Sequence, residues 1–292
     1  MSPNAVELTA GDAKLLVARQ GAEARAWRVG GRDLLWPGDP AIWPQISPIL
    51  YPVVGWLREG ARVAGRRYPL GVHGFAASQE FEVEATRADF ARLTLADNPQ
   101  TRALYPFAFR LAIEYRLSAD ALAIAIEVAN PGHAAAPYAC GLHPGFRWPF
   151  AGGPREGARI RFERLEQGDV PRIAPGGLIG AATRSLPFDG RDLPLSEDLF
   201  AKDALCFLAP ASRSLRFEEA GGAAIAMDFR GFDHAALWTR PRAPFLCLEA
   251  WTGHSDPEGF EGDLFEKPSM RVLQAGERAR HAASYRFWPA DA

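Results

Sequence analysis

Apolar and polar side chains alternate along much of this chain. In FEVEATRADFARLTLAD (residues 81–97) they alternate on both sides of a charged turn. FAFRLAIEYRLSADALAIAIEVAN (107–130) holds two such runs joined at Ser118-Ala119-Asp120, and SLRFEEAGGAAIAMDFRGF (214–232) repeats the pattern across Gly221-Gly222. A period of two puts alternate side chains on opposite faces of an extended segment, so these runs predict antiparallel strands with one buried face. AKLLVARQGAEARAWRVGGRDLLW (13–36) predicts three short strands in a meander. No helical period of ordinary length is present. LSEDLFAKDAL (195–205) predicts one short helical turn with Ser196 as its cap. Proline and glycine are spread through the turns and never gather into a linker, and no fixed repeat occurs. The expectation is an all-β chain, one large antiparallel β-sandwich domain over residues 1–292.

Length and composition narrow the function classes. At 292 residues the chain can bury a sizeable core, and its formal charge is -2. Arginines are interspersed with acids, so neither nucleic acid nor an acidic membrane surface is an expected partner. No stretch of about 18 apolar residues predicts a transmembrane helix, and MSPNAVELTAGDAKLL lacks the basic start and apolar core of a signal peptide. Cys140, Cys206 and Cys247 are odd in number and lie in apolar contexts, which reads as reduced thiols in a cytoplasmic protein, not a disulfide frame or zinc site.

Against this background the polar residues in apolar company carry the chemistry. Glu249 ends the apolar run Phe245-Leu246-Cys247-Leu248, with Trp251 two residues on and hence on the same strand face. A carboxylate there reads as a cleft residue beside an aromatic platform, its pKa tuned for proton transfer; the plainer alternative is a strand-end glutamate reaching solvent. His143 ends the strand-like YACGL and runs into Pro144-Gly145; His73 stands before Gly74-Phe75. Each is compatible with a core histidine or a catalytic one. His133, His234, His254 and His281 lie in polar or turn contexts and read as structural. Two histidines and one carboxylate fit two chemistries: a metal site, or metal-free acid/base work by a carboxylate and an imidazole across one substrate. Trp148, Trp251, Phe75 and Phe146 flank these positions, and aromatic faces beside polar groups suit a sugar ring.

In order along the chain stand SPILYPVVG, GVHGFA, YPFAFRLAIEYRL with IEVAN ending at Asn130, GLHPGF, PFLCLEAWTG and EKPSMRVLQAGE. Together these resemble the aldose 1-epimerase (galactose mutarotase-like) family, most nearly its shorter bacterial branch, over most of the chain. The resemblance implies the supersandwich fold of that family with a small-molecule sugar lying across one open face, and no metal or organic cofactor. It implies Glu249 as the general base on the anomeric hydroxyl and His143 as the general acid on the ring oxygen. It further implies His73 and Asp203 as sugar ligands; Trp251 and Phe75, from the flanking aromatics, and Arg147 complete the expected substrate-binding set.

Two positions depart from the family pattern. Trp56 and Ala77 stand where the related branch carries arginines that contact the sugar or its phosphate; Arg58 or Arg147 are the available substitutes. Losing two guanidinium groups argues against a phosphorylated sugar. The leading expectation is therefore an aldose 1-epimerase acting on a free hexose. A hexose-6-phosphate epimerase, a non-catalytic carbohydrate-binding protein and a metal enzyme on a similar sandwich follow in that order. Oligomeric state is not encoded in any of these patterns.

Overall fold

The computed structural model describes residues 4–290. Every ladder between its strands is antiparallel, and the predicted alternating runs are all present. Glu82–Arg87 pairs with Phe90–Ala96, Arg110–Leu117 with Ala121–Ala129, and Ser214–Glu218 with Ala224–Asp228. These hairpins join through the long strand Arg278–Trp288 into one nine-stranded sheet, with Arg159–Phe162 and Asp192–Pro194 at one end. The meander expected at 13–36 forms as Ala13–Ala18, Ala24–Val29 and Arg32–Asp33, with Ala5–Ala10 added on its outer edge.

A second sheet is laid against the first. Its order is Leu205–Phe207, His234–Trp238, Phe245–Trp251, Gly141–Leu142 and Ile49–Leu50, with Gly145–Arg147 also paired to Phe245–Trp251. Every position of Phe245–Trp251 is buried, and alternation explains how. Leu246, Leu248 and Ala250 enter the main core, beside residues of the large sheet such as Tyr285. Cys247, Glu249 and Trp251 point to the other face. This face is covered by aromatic side chains, Trp36 and Trp43 among them. A strand covered on both faces reads as a continuous apolar run, and Glu249 is the one residue in it that breaks the run.

Helix is scarce, with two departures from expectation. Pro99–Leu104 forms a six-residue α-helix. Asn98 caps it by accepting from the Thr101 N–H, while Thr101 Oγ1 accepts from the Asn98 N–H. The segment is too short to show a helical period, which is why the cap is its clearest mark. The helical turn expected near 195–205 is a 3-10 turn over Glu197–Phe200; Ser196 precedes it, but its side chain makes no capping bond.

Candidate active site

The register of the second sheet places the two leading candidates face to face. Leu142 pairs with Ala250, and Gly145 with Cys247. The count is the same on both sides, so His143 falls opposite Glu249 across the ladder. Pro144 has no N–H to give that ladder, and its carbonyl accepts from the Leu248 N–H at 3.2 Å. The proline thus interrupts strand character without shifting the register. Opposed residues in an antiparallel pair hold their Cβ atoms about 4.5–5.5 Å apart, and here His143 Nε2 lies 3.2 Å from Glu249 Oε2. On the other side Glu249 pairs with Ala236, a side chain too small to cover the carboxylate.

These two groups form the floor of a cleft of about 350 Å³, within the usual range for small-molecule sites. Glu249 is 1% exposed and His143 7%. Burial pushes the Glu249 carboxyl well above its ordinary range. Burial, with His73 alongside, pushes the His143 imidazole well below its own. Both shifts favour the uncharged pair, one proton between two groups. Trp251 Nε1–H donates to the same Glu249 oxygen at 3.1 Å. The His143 ring lies against Trp43 at 5.2 Å and meets Trp238 edge-on at 5.6 Å. Its Nδ1 is buried without a hydrogen-bond partner.

His73 completes the cluster, its ring centroid 5.5 Å from that of His143. Its Nδ1 accepts from the Gly55 N–H at 3.1 Å, so the hydrogen of the neutral ring resides on Nε2, which makes that atom a donor. Burial lowers its pKa to about 4, so the ring stays neutral at physiological pH. The backbone at His73 has φ +60°, followed by Gly74 at +73°. Left-handed backbone is costly outside glycine, roughly 1–3 kcal/mol, and gathers at functional sites. Asp203, at +77°, is a second such residue. It lines the cleft, exposed, with its Oδ1 accepting from the Ala204 N–H.

Five of the seven candidates from sequence therefore belong to one cleft: Glu249, His143, His73, Trp251 and Asp203. Phe75 and Arg147 are corrections, since neither lines it. The left-handed pair His73-Gly74 turns the chain over, so His73 faces the cleft while Phe75 packs into the core against Tyr51 and Phe109. Arg147 pairs with Phe245, four residues and so about 13 Å along the strand from Glu249; its Nε is buried without a hydrogen-bond partner. Phe146 and Trp148 alternate inward and pack on Tyr285 and Phe217. Arg58 is engaged with Glu261 at 2.9 Å. His281 is not a turn residue: it is buried on the strand Arg278–Trp288, 2.9 Å from the Tyr138 hydroxyl.

Sequence reasoning missed Trp43, Trp238, Gln45 and Arg240, all of which line the cleft. Trp238 was within reach, as the end of an apolar run next to the glutamate strand. Trp43 and Gln45 lie in an irregular stretch with no period to mark them. Among the described residues His143, Cys247 and Glu249 bring one donor atom each to within 4.8 Å of one another. His73 is not one of that group. No helix among the described residues is long and apolar enough to cross a membrane.

A family model described as aldose 1-epimerase matches residues 4–285. The chromosomal LacX protein of Lactococcus lactis subsp. lactis is 30% identical over 254 residues, covering 82% of this chain and 84% of LacX. Solved structures share the fold, among them the following two. A galactose mutarotase-like protein from Lactobacillus casei superposes with TM-score 0.90 at 24% identity, covering 97% of this chain and all of that one. A galactose mutarotase related enzyme from Lactobacillus acidophilus gives 0.89 at 25% identity, covering 98% of each chain.

Proposed function

Because this chain belongs to the aldose 1-epimerase family, we propose that it is a mutarotase, interconverting the α and β anomers of a free hexose in the cytoplasm. The observation that carries the reading is the buried His143–Glu249 pair, 3.2 Å apart on the floor of the cleft. Ring opening needs a proton removed from the anomeric hydroxyl and a proton delivered to the ring oxygen. In the ion-pair form, carboxylate and imidazolium, Glu249 takes the first and His143 gives the second. That leaves carboxylic acid and neutral imidazole, the form burial favours. The C1–C2 bond of the open sugar rotates. Ring closure on the other face then runs the transfers backwards, His143 taking a proton and Glu249 returning one.

The pair's proton count is therefore the same before and after turnover. Each transfer contributes roughly 10²–10⁴-fold. His73, held neutral by burial and oriented by Gly55, donates Nε2–H to the sugar, and Asp203 accepts from its hydroxyls. Arg240 is the one cation among the lining residues; Arg58 is paired with Glu261, and Arg147 does not line the cleft. That supports an unphosphorylated substrate over a hexose 6-phosphate, which calls for a bidentate cluster.

Polarimetry tests the proposal. Crystalline α-D-glucose and α-D-galactose are dissolved with and without protein at matched pH and buffer. Faster relaxation to the same final rotation is the expected result. An unchanged rate with both sugars refutes the free-hexose reading; sugar binding without acceleration makes the protein a carbohydrate binder.

A further inference from the structure

The proton transfers of the proposed reaction give Cys247 no work, yet its thiol is buried beside the two groups that carry them out. Cys247 and Glu249 are two residues apart on one strand and so share a face. His143 reaches the same place from the neighbouring strand, where Gly145 pairs with Cys247. One nitrogen, one sulfur and one carboxylate oxygen from these three lie within 4.8 Å of one another, and among the described residues no other set of three does so. Two donors from one strand and a third from its neighbour converge on one point. The 3.2 Å between His143 Nε2 and Glu249 Oε2 also suits a shared ion. Two bonds of about 2.0–2.1 Å at the tetrahedral angle of a zinc ion put their donor atoms about 3.3–3.4 Å apart.

Charge and ligand type decide which ion fits. A divalent cation with one thiolate, one carboxylate and one neutral imidazole sums to zero, so no net charge is left in the buried floor. The two protons displaced, one from the Cys247 thiol and one from the Glu249 carboxyl, pass to solvent. A monovalent ion would leave a buried negative charge. Magnesium and calcium call for about six or more donors, mostly oxygen, whereas sulfur and nitrogen select a borderline-soft ion such as Zn²⁺. His143 and Glu249 line the cleft and Cys247 does not, so the fourth tetrahedral position falls on the cleft side. His143 Nδ1 has no acceptor in the protein, where tight sites hold the second nitrogen of a ligating histidine. The ion this set takes is therefore one that comes and goes.

We propose that His143, Cys247 and Glu249 form a reversible inhibitory site for Zn²⁺, which occupies both proton-transfer groups and stops turnover. The inhibition rests on the mutarotase reading; the binding does not. Protein stripped with EDTA is titrated with Zn²⁺ in competition with a chromophoric chelator, as wild type, Cys247→Ala and Cys247→Ser. Thermal melts identify the folded variants, and one folded variant is enough for the comparison. Wild type should draw Zn²⁺ from the chelator. Either substitution should weaken that binding at least about tenfold, since loss of an outer-shell partner alone costs roughly 10–100-fold. In polarimetry on glucose, Zn²⁺ should block wild type and EDTA should restore it, while Mg²⁺ at the same concentration leaves the rate alone. The Zn²⁺ concentration for half-inhibition should rise by the same factor in the variants. No Zn²⁺ binding by wild type, equal binding by wild type and a folded variant, full activity with Zn²⁺ bound, or equal inhibition by Mg²⁺ overturns the proposal. If wild type accelerates neither glucose nor galactose, the mutarotase reading fails separately and the chelator competition alone decides the site.

Discussion

Glu249→Gln should make the protein inactive and more stable at once. The side chain keeps its size. A glutamine carbonyl oxygen placed where Oε2 stands accepts from Trp251 Nε1–H, now 3.1 Å away. It also accepts from the Nε2–H form of neutral His143, now at 3.2 Å. No buried polar atom loses its partner, so the fold is kept. What goes is the base, and mutarotation should fall by roughly 10²–10⁴-fold. Stability moves the other way. Burial raises the folded pKa of Glu249 well above its unfolded value, so the native state binds a proton that the unfolded chain releases. Wild-type stability is then lost as pH rises from the ordinary carboxyl range through the folded pKa, at about 1.4 kcal/mol per unit of upward shift. Glutamine does not titrate and escapes that loss. The two proteins should melt together near pH 4, and the variant should gain as pH rises, by roughly 2–4 °C in Tm for each kcal/mol. Polarimetry on glucose and thermal melts from pH 4 to 9 read both. A variant with near-normal rate removes Glu249 from the chemistry. One that melts lower than wild type at pH 8 shows that the carboxylate is charged and satisfied in the fold, against the argument from burial.

Other outcomes follow from the same geometry. His143→Asn should lose activity with little change in Tm; a large drop in Tm would make His143 a core residue instead. His73, lowered to about 4, binds no proton in the fold where the unfolded chain takes one up below 6.5. It should therefore cost about 3 kcal/mol of stability as pH falls from 6.5 to 4, and denaturant melts of His73→Asn should show a flatter acid limb. Lys267→Ala leaves the buried Asp256 carboxylate unpaired and should destabilise by about 3–5 kcal/mol, measurable by urea unfolding. Gly177→Ala sets a methyl group into the Trp56 indole and should shift the tryptophan emission; an unaltered spectrum would mean the Gly177 turn yields instead of the ring.

The strands were legible because a period of two survives wherever one face is buried, as in the hairpin 110–129. Glu249 was legible for the opposite reason, as a charge in a run that should hold none. Phe75 misled because two left-handed residues reverse the chain just before it, and His73 at φ +60° gives no sign of that in its side-chain type. Arg147 misled because nearness to His143 in sequence is distance along a strand, four residues from the glutamate. Trp43 was invisible: it reaches His143 across the fold from an aperiodic segment, and only tertiary structure makes that contact.

The interruption at His143-Pro144 has a consequence for how such a protein can diversify. Acid and base are rungs of one ladder, so their spacing is a property of sheet geometry that insertions elsewhere do not stretch. The parts that would touch the rest of a sugar, such as Trp56, Asp203 and Arg240, lie at strand ends and in loops. Catalytic spacing and substrate choice are thus carried by separate pieces of chain, and selection can rewrite the second while inheriting the first intact.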